Sequence, residues 1–141
     1  MKKEILRRAH EARACRKEYG RAYKAETLDA LMQVVRDNFR WCTDNDVVDG
    51  ALIDAYKEEF NAGKIWHNES SITDGFMLAT GSASVLATGS ASVKAYGSAY
   101  VYSYNIKECK LYDHAIYRII NLNEVRYADE AMKFVKVEEG E

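Results

Sequence analysis

From Thr80 onward, turn-forming and apolar residues recur every eight positions. The column Gly81, Gly89, Gly97, Asn105, Asp113, Asn121 and Asp129 holds only Gly, Asn and Asp, the residues that best tolerate positive φ in a tight turn. Two positions later stand Ala83, Ala91, Ala99, Lys107, Ala115, Asn123 and Ala131. Next come Val85, Val93, Val101, Cys109, Tyr117, Val125 and Lys133, then Ala87, Ala95, Ser103, Leu111, Ile119, Tyr127 and Val135. Each octad therefore reads as a turn followed by a strand of roughly five or six residues with alternate side chains pointing inward. The period extends well beyond the low-complexity stretch "TGSASVLATGSASVKAYGSAY" that announces it.

Two architectures satisfy this pattern, an antiparallel β-meander and a parallel β-solenoid in which each octad forms one side of a coil. The inward residues are small, which suits two sheets pressed closely together and makes a coil of two octads. Outward residues then segregate at i, i+16. One wall carries Ser84, Leu86, Tyr100, Tyr102, Ile116, Arg118, Met132 and Phe134; the other carries Ser92, Lys94, Glu108, Lys110, Glu124 and Arg126. The first is apolar and aromatic, the second charged and expected to face water. The predicted fold class is α+β: an N-terminal helical head followed by a flattened parallel β-solenoid of octapeptide repeats, with the antiparallel β-meander as alternative. The apolar wall must be covered by the head, a second protomer or a partner.

The head shows helical rather than strand periodicity. Ile5, Ala9, Ala12 and Tyr19 share a face and predict a helix over 2–18 that breaks at Gly20. Thr27 is placed to cap a second helix with the stripe Leu28, Leu31, Met32, Val35, Phe39 and Cys42, ending at "TDND". Asp49 is placed to cap a third that closes near Gly63. Trp41 and Trp66 are expected in this core or at its junction. The predicted boundaries are 1–66 for the head and 67–141 for the repeat body.

Charge modifies this picture locally. The chain of 141 residues carries a formal net charge of −2, which gives no global case for nucleic acid. Residues 1–24 hold nine Lys/Arg against three Glu, whereas 26–59 hold nine Asp/Glu against three Lys/Arg. Opposite helices attracting each other is one reading; a basic segment offered to phosphates or an acidic partner is the other. Three scattered cysteines, Cys15, Cys42 and Cys109, point to a reducing, cytoplasmic setting. No apolar run suggests a membrane span and no secretory leader is evident.

The search for chemistry returns little. His10, His67 and His114 are far apart in sequence, and Asp44, Asp46 and Asp49 lack the Gly and Glu of a calcium loop. No catalytic residue, metal site or cofactor is predicted. The column Thr88, Tyr96, Tyr104, Tyr112 and Ile120 reads as rings stacked at a corner. Beside Lys94 and Lys110, however, Tyr96 and Tyr112 are candidate ligand or phosphate contacts. Leu86, Tyr100, Tyr102, Ile116 and Arg118 are the candidate partner-binding residues.

The phrases "RDNFRWCTDNDVVDGALIDAYKEEF" and "KAYGSAYVYSYNIKECKLYDHAIYRI" resemble a group of uncharacterised phage and mobile-element proteins. Those pair a short helical head containing an N-F-x-W-C-type phrase with A-Y-G-N/S-A-x-V octads. The resemblance implies a small accessory protein that acts on host machinery by binding it, and supplies no catalytic residue or ligand. The leading expectation is thus a non-enzymatic interaction protein of the bacterial cytoplasm. It would inhibit a host defence protein or protein–nucleic acid complex and self-associate as a homo-oligomer. A nucleotide-sequestering protein and a structural oligomer are the alternatives.

Overall fold

The computed structural model describes residues 1–104, 106, 108–128 and 135–136. The chain divides into two compact units, Met1–Ile65 and Trp66–Glu141. It is an α+β protein with a helical N-terminal region followed by a mostly parallel sheet.

In the first unit the segments are shorter than the sequence pattern predicts. Helix α1 is Lys2–Glu11 and α2 is Arg16–Lys24, so the break falls at Arg13 rather than Gly20. Arg13 takes φ 61°; its N–H donates to His10 O at 3.0 Å and that of Ala14 to Ala9 O at 2.9 Å. This is the closing pattern of a Schellman cap with Arg where Gly is customary. Thr27 caps α3 (Leu28–Asp37), its Oγ1 accepting from Ala30 N at 3.1 Å. The long second helix is interrupted at Asn38 before α4 (Phe39–Asp44). Asp49 caps α5 (Gly50–Ala55) by accepting from Leu52 N at 2.8 Å, and α6 (Lys57–Ala62) ends at Gly63. Leu31, Met32, Val35, Phe39, Cys42, Leu52 and Phe60 are buried, whereas Leu28 remains exposed. Two ion pairs tie the basic segment to the acidic one: Arg8–Asp49 at 3.3 Å and Arg21–Asp37 at 2.9 Å. The opposite-sign attraction read from the sequence is therefore present within the head.

The second unit is built on strands β1 (Ile65–His67), β2 (Ser71–Ala79), β3 (Ser84–Ala95), β4 (Tyr100–Ser103), β5 (Glu108–Leu111), β6 (Ile116–Ile119), β7 (Glu124–Tyr127) and β8 (Val135–Lys136). The long strand β3 spans two octads and passes through Gly89 at φ 62°. Its first half pairs in parallel with β4 (Val85↔Val101) and its second half with β5 (Val93↔Cys109). Strand β4 continues in parallel to β6 (Val101↔Tyr117). These partners are sixteen residues apart, as the segregation of outward residues predicts, and the antiparallel meander does not account for them. The sheet thus forks at β3 into two rows, one through β4 and β6 and one through β5. Inward residues of both rows, among them Val85, Val101, Val93, Ala91, Ala95 and Ala115, share one hydrophobic cluster. Trp66 packs against it, while Trp41 lines a cavity in the head.

The last octad departs from the pattern. Asn121 is absent from the positive-φ residues; Asn123 takes φ 51° instead, and β7 turns back antiparallel on β6. The partners are Ile116↔Tyr127, Tyr117↔Arg126, Arg118↔Val125 and Ile119↔Glu124. Residues directly opposite in an antiparallel pair point to the same face. Reversal therefore moves Val125 and Tyr127 to the outer face beside Arg118 and Ile116. It also puts Glu124 and Arg126 in register with the inward Ile119 and Tyr117, the opposite of the sequence expectation, while Val125 is still buried and Arg126 still exposed. Met132, Phe134 and the terminal "VEEGE" lie outside the described residues, as do Asn105, Lys107 and Asp129.

Candidate functional site

The two rows differ on their outer faces. In the row through β5, Leu78, Lys94 and Lys110 are successive register neighbours, and so are Phe76, Ser92 and Glu108. This wall is not uniformly wet: Leu78 is 4% exposed, Ser92 7% and Lys94 6%. Lys94 still points outward, since Val93 and Ala95 on either side of it are core residues. Its ammonium lies 5.8 Å from the Tyr96 ring centroid and 5.2 Å from that of Tyr112. Those two rings are stacked at 4.4 Å with planes 8° apart.

Lys94, Tyr96, Lys110 and Tyr112 are therefore brought into one neighbourhood, but as a packed cluster. The lysine stem is covered and its charge sits on ring faces, a cation–π arrangement. Rings already stacked on each other leave no slot for a base between them. The sequence column of tyrosines also splits: Tyr96 and Tyr112 close one row, whereas Tyr104 is 61% exposed. Burial overturns the expectation that Lys94 faces water. Chemical denaturation should show Lys94→Ala losing about 1–2 kcal/mol, the scale of a desolvated cation–π contact plus a buried stem.

The row through β4 and β6 presents the other face. In register it carries Ser84, Tyr100, Ile116 and Tyr127 in one file and Leu86, Tyr102, Arg118 and Val125 in the next. The five residues singled out from the sequence, Leu86, Tyr100, Tyr102, Ile116 and Arg118, are thus adjacent, and each is partly exposed. Tyr100 and Tyr102 hold their ring centroids 5.4 Å apart with planes at 23°. Val125 and Tyr127 continue these files in register, Val125 buried and Tyr127 half-buried; the octad count assigns both inward and misses this pairing. The only sequence signal for them is the closely spaced pair Asn121 and Asn123, a hairpin-like turn composition. Arg118 Nε is buried without a hydrogen-bond partner.

Beneath β6 and β7 the inner face changes composition. Tyr117 replaces the valines of earlier levels, and its hydroxyl meets Ser103 Oγ at 2.7 Å inside the core. A cavity of about 460 Å³ lies here, lined by residues including Ile106, Cys109, Leu111, Tyr117, Ile119 and Arg126. Burial pushes the Cys109 thiol up to about 12, with the nearby Glu108 charge adding to the shift. The thiol stays protonated at neutral pH, and reactivity belongs to the thiolate. A thiol assay at pH 8 should therefore find exposed Cys15 reacting promptly, with Cys109 and buried Cys42 lagging until denaturant is added.

A second cavity of about 230 Å³ lies within the head, between α1–α4, with Ile5, Ala22, Val35, Trp41 and Cys42 in its wall. In the basic segment, Lys2 Nζ donates to the carbonyls of Tyr23 and Ala25 at 2.8 and 2.6 Å. Arg7 bonds Glu4 and Glu11, and Arg8 bonds Glu4 and Asp49. The two arginines hold the Glu4 carboxyl down at about 2. Much of the positive charge of 1–24 is thus answered locally, while Lys3, Arg13, Arg16, Lys17 and Lys24 are exposed. Among the described residues, no group of three His, Cys, Asp or Glu is arranged to hold a metal ion. No helix among them is long and apolar enough to cross a membrane.

Comparison with known proteins adds no relative: no family model, curated protein or solved structure matches this chain.

Proposed function

We propose that the chain is a non-enzymatic interaction protein that docks a host macromolecule on the outer face of the β4–β6 row. In this reading the body is a flattened parallel β-solenoid with sixteen-residue coils, ended by the β6–β7 reversal. The register between β3, β4, β5 and β6 supports that reading, as does the core common to both rows. The carrying observation is the partly exposed patch of Leu86, Tyr100, Tyr102 and Ile116, drawn from both files, on a backbone held by parallel ladders. Rigid aromatic anchors at fixed spacing give contact area at low entropic cost, the property of interface hot spots. The resemblance to phage and mobile-element proteins supports the context, a bacterial cell whose defence machinery is the target to be inhibited.

The test is affinity capture from bacterial lysate with the intact chain and with Tyr100→Ser/Tyr102→Ser, alongside light scattering of the pure protein. A specific macromolecule retained by the first and lost by the second is the expected result. Equal retention by both, or none by either, defeats the docking-face reading. A stable assembly formed without any host component would favour the structural oligomer instead.

A further inference from the structure

Arg118 is the one formal charge on the described outer face of the β4–β6 row. Its register neighbours are Tyr102 and Val125, flanked by Leu86, Tyr100, Ile116 and Tyr127. None of these register neighbours is an acid, and Arg118 Nε is buried with no acceptor. Guanidinium groups set into apolar surroundings are normally answered by a carboxylate or a carbonyl. Among the described residues the counter-charge is missing, and the half-covered setting strengthens attraction toward one brought from outside.

Resting on the docking-face reading above, we infer that the partner is a protein segment presenting an Asp or Glu between apolar side chains. The carboxylate is positioned over Arg118, and the apolar neighbours pack on Tyr100, Tyr102 and Leu86. Charge complementarity separates this occupant from the others. Two copies meeting on this same face bring like charges together and offer no acid to either. A nucleic acid strand needs a series of cations along its phosphates, and the described residues of this face supply one. The aromatic pair supplies affinity, and the single cation supplies selectivity for an acidic partner.

The experiment selects a displayed library of random twelve-residue peptides on the immobilised full-length protein. The enriched consensus is then measured as a synthetic peptide by fluorescence anisotropy. The expected consensus has Asp or Glu flanked by Leu, Ile, Phe or Trp. Tyr102→Ser should abolish its binding. Arg118→Gln should weaken it about thirty-fold or more, as for a truncated interfacial charge pair, and Arg118→Lys should restore part of the loss. Replacing the peptide acid by its amide should cost as much, with no further loss on Arg118→Gln. Circular dichroism melts confirm that each variant is folded, and Arg118→Met, which keeps the stem, substitutes for Arg118→Gln if that variant fails.

Peptides lost on Tyr102→Ser but lacking an acid and indifferent to Arg118→Gln overturn the acidic-partner inference and leave the docking face standing. No enrichment, or peptides indifferent to both substitutions, overturns both. A labelled single-stranded oligonucleotide that binds the protein and is displaced by Tyr102→Ser shows the occupant to be nucleic acid and equally overturns the inference.

Discussion

Val101→Asp is expected to unfold the body. Val101 is fully buried, stacked in register between Val85 and Tyr117 and part of the hydrophobic cluster that both rows share. A carboxylate there meets alanine, valine and ring carbon. Burying it unpaired costs about 4 kcal/mol or more, a large share of the roughly 5–15 kcal/mol that holds a domain folded. Val93→Asp, at 1% exposure in the other row, should behave alike. Far-UV circular dichroism and thermal melts will read the loss of β structure. A Val101→Asp protein melting close to the wild type would show that this side chain reaches solvent.

The second large effect concerns the turn glycines and discriminates by neighbour rather than by conformation. Gly81 and Gly97 have nearly the same φ, +62° and +64°. A Cβ at Gly81 meets nothing, whereas one at Gly97 sits 3.0 Å from Gly81 O and 3.2 Å from Gly81 N. Those are backbone atoms that no rotamer change removes. Ser98 N–H donates to Gly81 O at 2.8 Å and His114 N–H to Gly97 O at 2.9 Å, so the turns are bonded directly onto one another. Gly81→Ala should lose about 1–2 kcal/mol, the cost of a left-handed conformation for an L-residue. Gly97→Ala adds displacement of the turn beneath and should lose about 2–4 kcal/mol. Equal losses at the two positions would mean that the turns do not stack.

The register was readable because two independent signals agree. The Gly/Asn/Asp column sets a turn every eight residues, and aromatic and charged outward residues separate only when counted by sixteen. The reversal of β7 was hidden because alternation of period two reports that one face of a strand is apolar, not which face it is. Val125 and Tyr127 alternate with Glu124 and Arg126 under either pairing; only the move of positive φ from position 121 to Asn123 decides. Lys94 misled for a different reason. A lysine in a strand reads as wet until stacked rings are found beside it, and Tyr96 and Tyr112 become neighbours only through the sixteen-residue register. In the head, both side-chain caps, Thr27 and Asp49, were legible from local chemistry. The break at Arg13 was not, because a non-glycine residue took the left-handed position. The outer-face residues were legible as a group; the isolation of the Arg118 charge was visible only once β7 had brought Val125, rather than an acid, beside it.

The sixteen-residue register sets which residues share a face of the body and can be measured directly. Through-hydrogen-bond N–C′ couplings in solution NMR should connect the amides of Tyr96, Ser98, Tyr100, Tyr112, His114 and Ile116 to the carbonyls of Ala79, Gly81, Ala83, Ala95, Gly97 and Ala99. Each pair is seventeen residues apart, the offset of a parallel ladder in this register. Couplings that instead joined successive octads as strands running in opposite directions would contradict the account, and with it the division of the body into two distinct faces.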